Sequence, residues 1–329
     1  MTTTPSPSTR LDLDRIRAAR SAIDPVFLDT PTYVCDPLGD RLGCEALIKL
    51  ETANPVRCFK GRGTELVTSA LDGRGAVCAS AGNLGQALAW SGRRRAIPVT
   101  VVAARSANPG KLDRIRALGA ELVLVDGDIE DARALAVAIA DERGIRLVED
   151  SLDLETCEGA ATIGLELAEL DPAPEIVLVA LGGGAMATGV GYVLKQLRPG
   201  TEVVCVQPSG APAMTRSFHA GEVVTTERID TIADGVAGRH PIPEVLADLL
   251  VVADDALLVE EASIVAGMRL LYEHAGLVVE PSAALGVAAV LEGPARFAGR
   301  RVATILCGSN VDLAAFQRWV DREPAGTTL

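Results

Sequence analysis

Aromatic side chains are scarce in this chain, at 3% of its 329 residues. A core assembled without them is aliphatic, and the 48% hydrophobic content is rich in Ala, Val and Leu. That composition suits an α/β protein with buried strands. Positive charge is short as well. The formal net charge of −13 leaves no basic stripe, which argues against nucleic-acid binding and against adhesion to anionic membranes. Histidine occurs only at His219, His240 and His274, too scattered for a metal cluster or a Ser-His-Asp triad. The seven cysteines include no Cys-x-x-Cys pair, and an odd number in a chain this long reads as reduced thiols in a cytosol. No apolar run approaches a membrane span free of glycines and charges. Residues 1–9 are polar, without an apolar signal core. A soluble, cytoplasmic protein is expected.

What is present is an alternation. Apolar runs at 46–50, 76–79, 98–103, 121–125, 176–181, 202–207, 277–280 and 302–307 read as strands. Helix-period segments lie at 13–23, 61–71, 84–91, 109–118, 129–142, 157–170, 187–197, 260–275, 283–291 and 313–321. This order predicts an α/β fold whose mainly parallel, twisted sheets are flanked by helices. Turn-rich stretches at 72–75 and 150–154 suggest two lobes. The expected organisation is a disordered tail at 1–12, a large lobe from 13–72 and 151–329, and a small lobe at 73–150. Residues 233–243 are too irregular for an element and read as a long functional loop. The short tail after the last helix is expected to leave no C-terminal regulatory domain.

Only four of the 31 basic residues are lysine: Lys49, Lys60, Lys111 and Lys195. A lysine kept where arginine is the habitual cation points to an amine that must lose its proton. Lys60 closes Asn54-Pro55-Val56-Arg57-Cys58-Phe59-Lys60 and precedes Gly61-Arg62-Gly63, at a predicted helix start. Helix-terminal potential and desolvation favour the neutral amine that a Schiff base needs. The bland alternatives are a surface charge or a cation beside a helix. Gly182-Gly183-Gly184 follows a predicted buried strand and leads into a helix, where backbone N–H groups can approach an anion. Neither a Walker lysine nor a strict dinucleotide fingerprint accompanies it. Asn83, in Ser80-Ala81-Gly82-Asn83, reads by itself as a helix cap, although the same exposed amides could hold a carboxylate. Cys307 reads by itself as a buried free thiol.

The combination is more specific than its parts. FKGRG at 59–63, SAGNLGQALA at 80–89 and GGGAMATG at 182–189 are followed by TIADGVA at 231–237, VVEPSAALGVAAV at 278–290 and LCGSNVD at 306–312. In this order, from about Asp29 to Val320, the chain resembles the fold type II pyridoxal-phosphate enzymes, the tryptophan synthase β-like family. Within it, the serine/threonine dehydratase and serine racemase group is most similar. The resemblance implies pyridoxal 5'-phosphate in the cleft between the lobes. Lys60 would form the Schiff base and shuttle the substrate Cα proton. Phe59 would pack beside the ring, and Asn83 would bond its phenolic oxygen. Gly182, Gly183, Gly184, Ala185 and Met186 would hold the phosphate, with Gly235 and Glu280 completing the cofactor set. Ser80, Ala81, Gly82, Asn83 and Leu84 would surround the substrate carboxylate. Cys307 matches the position near the pyridine nitrogen, where a neutral thiol makes a weaker electron sink and suits elimination.

Departures from the family pattern shape the expected chemistry. Val56-Arg57-Cys58 replaces the usual Thr-Gly-Ser and is expected to put a permanent cation near the cofactor lysine. Ala81 stands where racemases carry the serine acid/base, so weak racemisation is implied. Leu84 replaces a histidine and makes the substrate side more apolar. Ala185 replaces a fourth glycine. Gln207 replaces a glutamate metal ligand and neither Ala211 nor Ala213 offers a carboxylate, so no divalent-metal site is expected, while a monovalent ion stays open. The implied activity is an ammonia-lyase that removes the β-hydroxyl of serine or threonine, giving a 2-oxo acid and ammonia. Arg57 and Leu84 raise a bulkier β-hydroxy amino acid as an alternative. Cysteine-synthase-like β-replacement is the rival within the family, and a non-catalytic binder of a phosphorylated ligand the rival outside it. Relatives are commonly dimers, which implies a homodimer.

Overall fold

The aliphatic runs become strands covered on both faces. The structure, a computed structural model, describes residues 9–321. Its strands are β1 (Thr32–Val34), β2 (Glu45–Leu50), β3 (Ala76–Ala79), β4 (Val99–Ala104), β5 (Glu121–Val125), β6 (Arg146–Leu147), β7 (Ile176–Ala180), β8 (Glu202–Pro208), β9 (Asp255–Val259) and β10 (Arg301–Leu306). They form a six-stranded sheet in the order β1-β2-β10-β7-β8-β9 and a four-stranded sheet in the order β5-β4-β3-β6. Every pairing is parallel except that of β1 with β2. Parallel strands need crossover helices, and those helices bury both faces. Ile176, Val177, Leu178 and Val179 of central β7 are accordingly all buried.

The helix Lys60–Ser69 joins the two sheets, packing on Asn83–Arg94 and on Leu154–Ala168. Small residues permit this approach. A Cβ on Gly63 would lie 2.8 Å from Thr156 Cα, and one on Gly159 would lie 2.5 Å from Gly63 Cα. Beneath this contact Arg62, fully buried, donates to Glu51 at 2.8 Å through Nε and to Glu166 at 2.5 Å. Lys49, also buried, donates to Glu166 and, at 2.9 Å, to the Thr30 carbonyl. Two cations thus face two carboxylates, so the network is neutral and no buried charge stands alone.

Four differences from the sequence reading have physical reasons. Residues 277–280 are not a strand. The helix Glu261–Ala275 ends at left-handed Gly276, and the following chain runs as a loop that delivers Glu280 to the interior. The short edge strands β1, β6 and β9 escape the sequence reading, being too brief or too mixed to show a period. The same holds for the short helices Asp36–Leu42 and Ala213–Ala220, and for the more apolar Pro243–Val252. Finally, the expected tail of 1–12 lies partly outside the described residues, but Arg10 donates to Asp248 at 2.9 and 2.7 Å and Asp12 caps the first helix.

Candidate active site

Ligands of parallel α/β sheets sit beyond the carboxyl ends of the strands. Here four such ends converge. Ser80 follows β3, Asp150 lies three residues past β6, Gly182 lies just past β7, and Cys307 follows β10. They surround a cavity of about 330 Å³. The sequence-read site residues all line it: Phe59 and Lys60, the turn from Ser80 to Leu84, the segment from Gly182 to Met186, and Gly235, Glu280 and Cys307.

Lys60 is the first residue of its helix, and its side chain is 15% exposed. Its amine donates to both carboxylate oxygens of Asp150 at 2.7 Å, and lies 4.5 Å from the centre of the Phe59 ring. Phe59 is fixed from the other side, its amide donating to the Cys307 carbonyl at 3.0 Å. The amine is therefore held by its own neighbour, by a late strand and by a carboxylate from the other sheet.

Asn83 does not cap its helix; Gly82 occupies the cap position without a side-chain bond. The reason is competition from tertiary partners. Asn83 Nδ2 donates to Glu280 at 2.8 Å, and its Oδ1 accepts from Asn310 Nδ2 at 2.8 Å. Glu280 accepts a second bond, from the Asn310 amide at 3.0 Å. Burial pushes the Glu280 carboxyl above its ordinary range, against the pull of the Asn310 amide. Burial, reinforced by Glu280, likewise pushes the Cys307 thiol well up, so it stays protonated.

The glycine turn has little room for side chains. Gly184 takes φ +111°, and a Cβ there would meet Val245 Cγ1 at 2.4 Å; one on Gly183 would meet Ser151 Oγ at 2.6 Å. Ser151 Oγ accepts from the Ala185 amide at 3.1 Å. Among the described residues, the amides of Gly183, Gly184 and Met186 find no acceptor.

Several lining residues escaped the sequence reading. Asp150 lay in a stretch read only as a connection. Ser282 has a buried hydroxyl without a partner among the described residues. Lys111, visible as one of the four lysines, reaches across the mouth to Asp234. Arg57 corrects an expectation in the other direction. It is exposed, has φ +56°, and does not line the cavity, so it sets no charge beside Lys60. Gln207 is buried, its Oε1 accepting from the Thr215 amide at 3.0 Å.

The chain is similar to known proteins over most of its length. The family model described as pyridoxal-phosphate dependent enzyme matches residues 23–308. Serine racemase of Oryza sativa subsp. indica is 31% identical over 314 residues, covering 92% of this chain and 91% of that protein. Phenylserine dehydratase of Ralstonia pickettii is 33% identical over 312 residues, covering 93% and 95% respectively. The solved structure of a threonine deaminase from T.th. superposes with a TM-score of 0.88 at 32% identity, covering 92% of this chain and 99% of that one. With most of its length matched, the chain belongs to the family of pyridoxal-phosphate dependent enzymes.

Proposed function

We propose that this enzyme catalyses the β-elimination of a β-hydroxy amino acid, with pyridoxal 5'-phosphate, to a 2-oxo acid and ammonia. The cavity residues fit that cofactor. The unsatisfied amides of Gly183, Gly184 and Met186, at the start of the helix Ala185–Leu197, are donors suited to a phosphate. The crowded glycines leave that cradle open, and the orphaned Ser282 hydroxyl offers a further polar contact. Bound there, pyridoxal phosphate supplies a covalently attached electron sink that acidifies the substrate Cα–H bond.

The protein's own residues supply the rest. The Lys60 amine takes the Cα proton, and Asp150, 2.7 Å away, stabilises the resulting ammonium. Amides of the turn from Ser80 to Leu84 orient the substrate carboxylate at the N-terminus of the helix Asn83–Arg94. Glu280 and Asn310 hold the Asn83 amide in one orientation. The protonated Cys307 thiol adds no charge to the cavity wall where the cofactor would be held. Loss of the Cα proton and the β-hydroxyl releases water; hydrolysis of the unsaturated amine then consumes water and releases ammonia.

One observation carries elimination over racemisation: Ala81 lines the cavity where a hydroxyl would be needed as a second acid/base. The dehydratase and deaminase relatives support the same reading. Borohydride reduction of the cofactor-loaded enzyme with peptide mapping is expected to label Lys60. A panel of β-hydroxy amino acids is expected to yield 2-oxo acid with little racemised substrate. Absence of 2-oxo acid from every member would reject the reading. A homodimer and a cytoplasmic location belong to the same proposal by family likeness, and sedimentation tests the former.

A further inference from the structure

A second cavity, of about 240 Å³, adjoins the first. The two share Leu84, Ile129 and Asp150 as a common wall. Its other apolar walls are Ala79, Leu147, Val148 and Ile242. Its charged walls are Glu130, Arg133, Glu149 and Asp150; Arg133 pairs with Glu149 at 2.5 Å and Asp150 with Lys60 at 2.7 Å, which leaves the exposed Glu130 carboxylate unpaired among the described lining residues. The His240 ring completes the lining.

Placement decides what can enter. The substrate carboxylate belongs at the amides of the Ser80–Leu84 turn, and the unpaired Glu130 carboxylate disfavours it in the second cavity. The reacting Cα must face Lys60, whose amine touches Asp150 in the shared wall. What remains to be housed is the substituent on the β-carbon. Leu84 and Ile129 offer that group an apolar passage, where a polar side chain at 84 would not. The volume exceeds the need of serine or threonine, since an apolar cavity of about 150 Å³ accepts a benzene ring.

We propose that the second cavity is the subsite for the β-substituent and takes an uncharged, apolar group of about aromatic-ring size. The substrate class is then a β-hydroxy amino acid bulkier than threonine. This rests on the β-elimination reading given above, and the tests separate the two. On the holoenzyme, kcat/KM for 2-oxo acid formation is compared for serine, threonine, β-phenylserine and β-hydroxyaspartate. β-Phenylserine is expected to exceed serine by about tenfold or more, the scale of discrimination that an apolar pocket achieves, and β-hydroxyaspartate to be the poorest. Leu147→Trp, which fills only the second cavity, is expected to abolish the preference for β-phenylserine while serine stays within about threefold. Ile242→Trp provides an independent filling should the first variant fold poorly. Equilibrium binding gives a readout without turnover. Phenylalanine, which has no β-leaving group, is expected to bind about tenfold tighter than alanine, and Leu147→Trp to erase the difference. Turnover of serine and threonine but not of β-phenylserine would overturn the subsite and leave the elimination reading intact. Equal losses on all substrates in the filled variants would overturn it too, marking the cavity as an entry path. No 2-oxo acid from any compound would instead sink the elimination reading.

Discussion

The chemistry concentrates on one amine and on the side chains that restrain it. Lys60→Ala removes the nucleophile without disturbing Arg62, whose side chain is bound to Glu51 and Glu166 in the interior. The variant is expected to fold, to lose the visible absorbance of the bound cofactor, and to drop 2-oxo acid formation by at least about 10²–10⁴-fold. Absorbance spectra and a coupled assay check both. Gly308 restrains the site indirectly: a Cβ there would lie 2.5 Å from the buried Glu280 carboxylate. Glu280 holds Asn83 and Asn310, so it cannot retreat without breaking two bonds at 2.8 and 3.0 Å. Gly308→Ala is expected to lower stability by about 1–3 kcal/mol and to weaken cofactor uptake, measured by thermal melting and by spectral titration. Asn83 shows where local reasoning stops. Alone it reads as a cap, and only its partners, 197 and 227 positions away, turn it into a fixed donor and acceptor.

Among the secondary elements, the helix Lys60–Ser69 matters most because it carries the amine and binds the two sheets together. Its foundation is Arg62 between Glu51 and Glu166. Arg62→Met would leave those carboxylates buried without their main cation, at a cost of about 3–5 kcal/mol; denaturant unfolding is the measurement. Burial pushes Glu166 upward, but Arg62 and Lys49 outweigh it and hold the carboxyl below its ordinary range. A depressed carboxyl stabilises the fold fully above its unfolded value of about 4.3 and loses that contribution as pH falls through the lower folded value. The melting temperature is therefore expected to fall steeply on acidification from about pH 5 to about pH 3, with a shallower slope in Arg62→Met. A flat profile in the native chain would count against the network. The FKGRG run announced this helix, yet the reason for its second glycine was not legible. Gly63 touches Thr156, in a helix distant along the chain, and sequence period says nothing about such backbone contact.

At the scale of the whole molecule, legibility followed burial. The interior strands β2, β3, β4, β7, β8 and β10 are predominantly apolar runs and could be read from residue type. The short edge strands β1, β6 and β9 and the loop bearing Glu280 could not, because their form depends on what they pair with or deliver; β5, an edge strand with a longer apolar run, was legible. Motif-bearing loops were legible through their glycines; the roles of Asp150, Ser282 and Asn310 were not, although the last two lie in the runs 278–290 and 306–312, because topology sets what a single polar residue meets. The cysteines offer a measurement of how the two sheets part. All seven are buried. Burial pushes the thiols of Cys78 and Cys205 up to about 12, so neither is reactive while its strand is closed. Cys78 lies in β3 of the four-stranded sheet and Cys205 in β8 of the six-stranded one. The apolar clusters around Cys78's sheet are smaller than the one enclosing Cys205. Elements with less buried apolar area open at lower free energy. Thiol labelling in mild denaturant, read by peptide mapping, is therefore expected to modify Cys78 before Cys205. Added cofactor, which would touch residues beyond β3, β7 and β10 together, is expected to slow both. Simultaneous labelling of the two would mean that the sheets open as one cooperative body, with the helix Lys60–Ser69 binding them more tightly than their separate cores suggest.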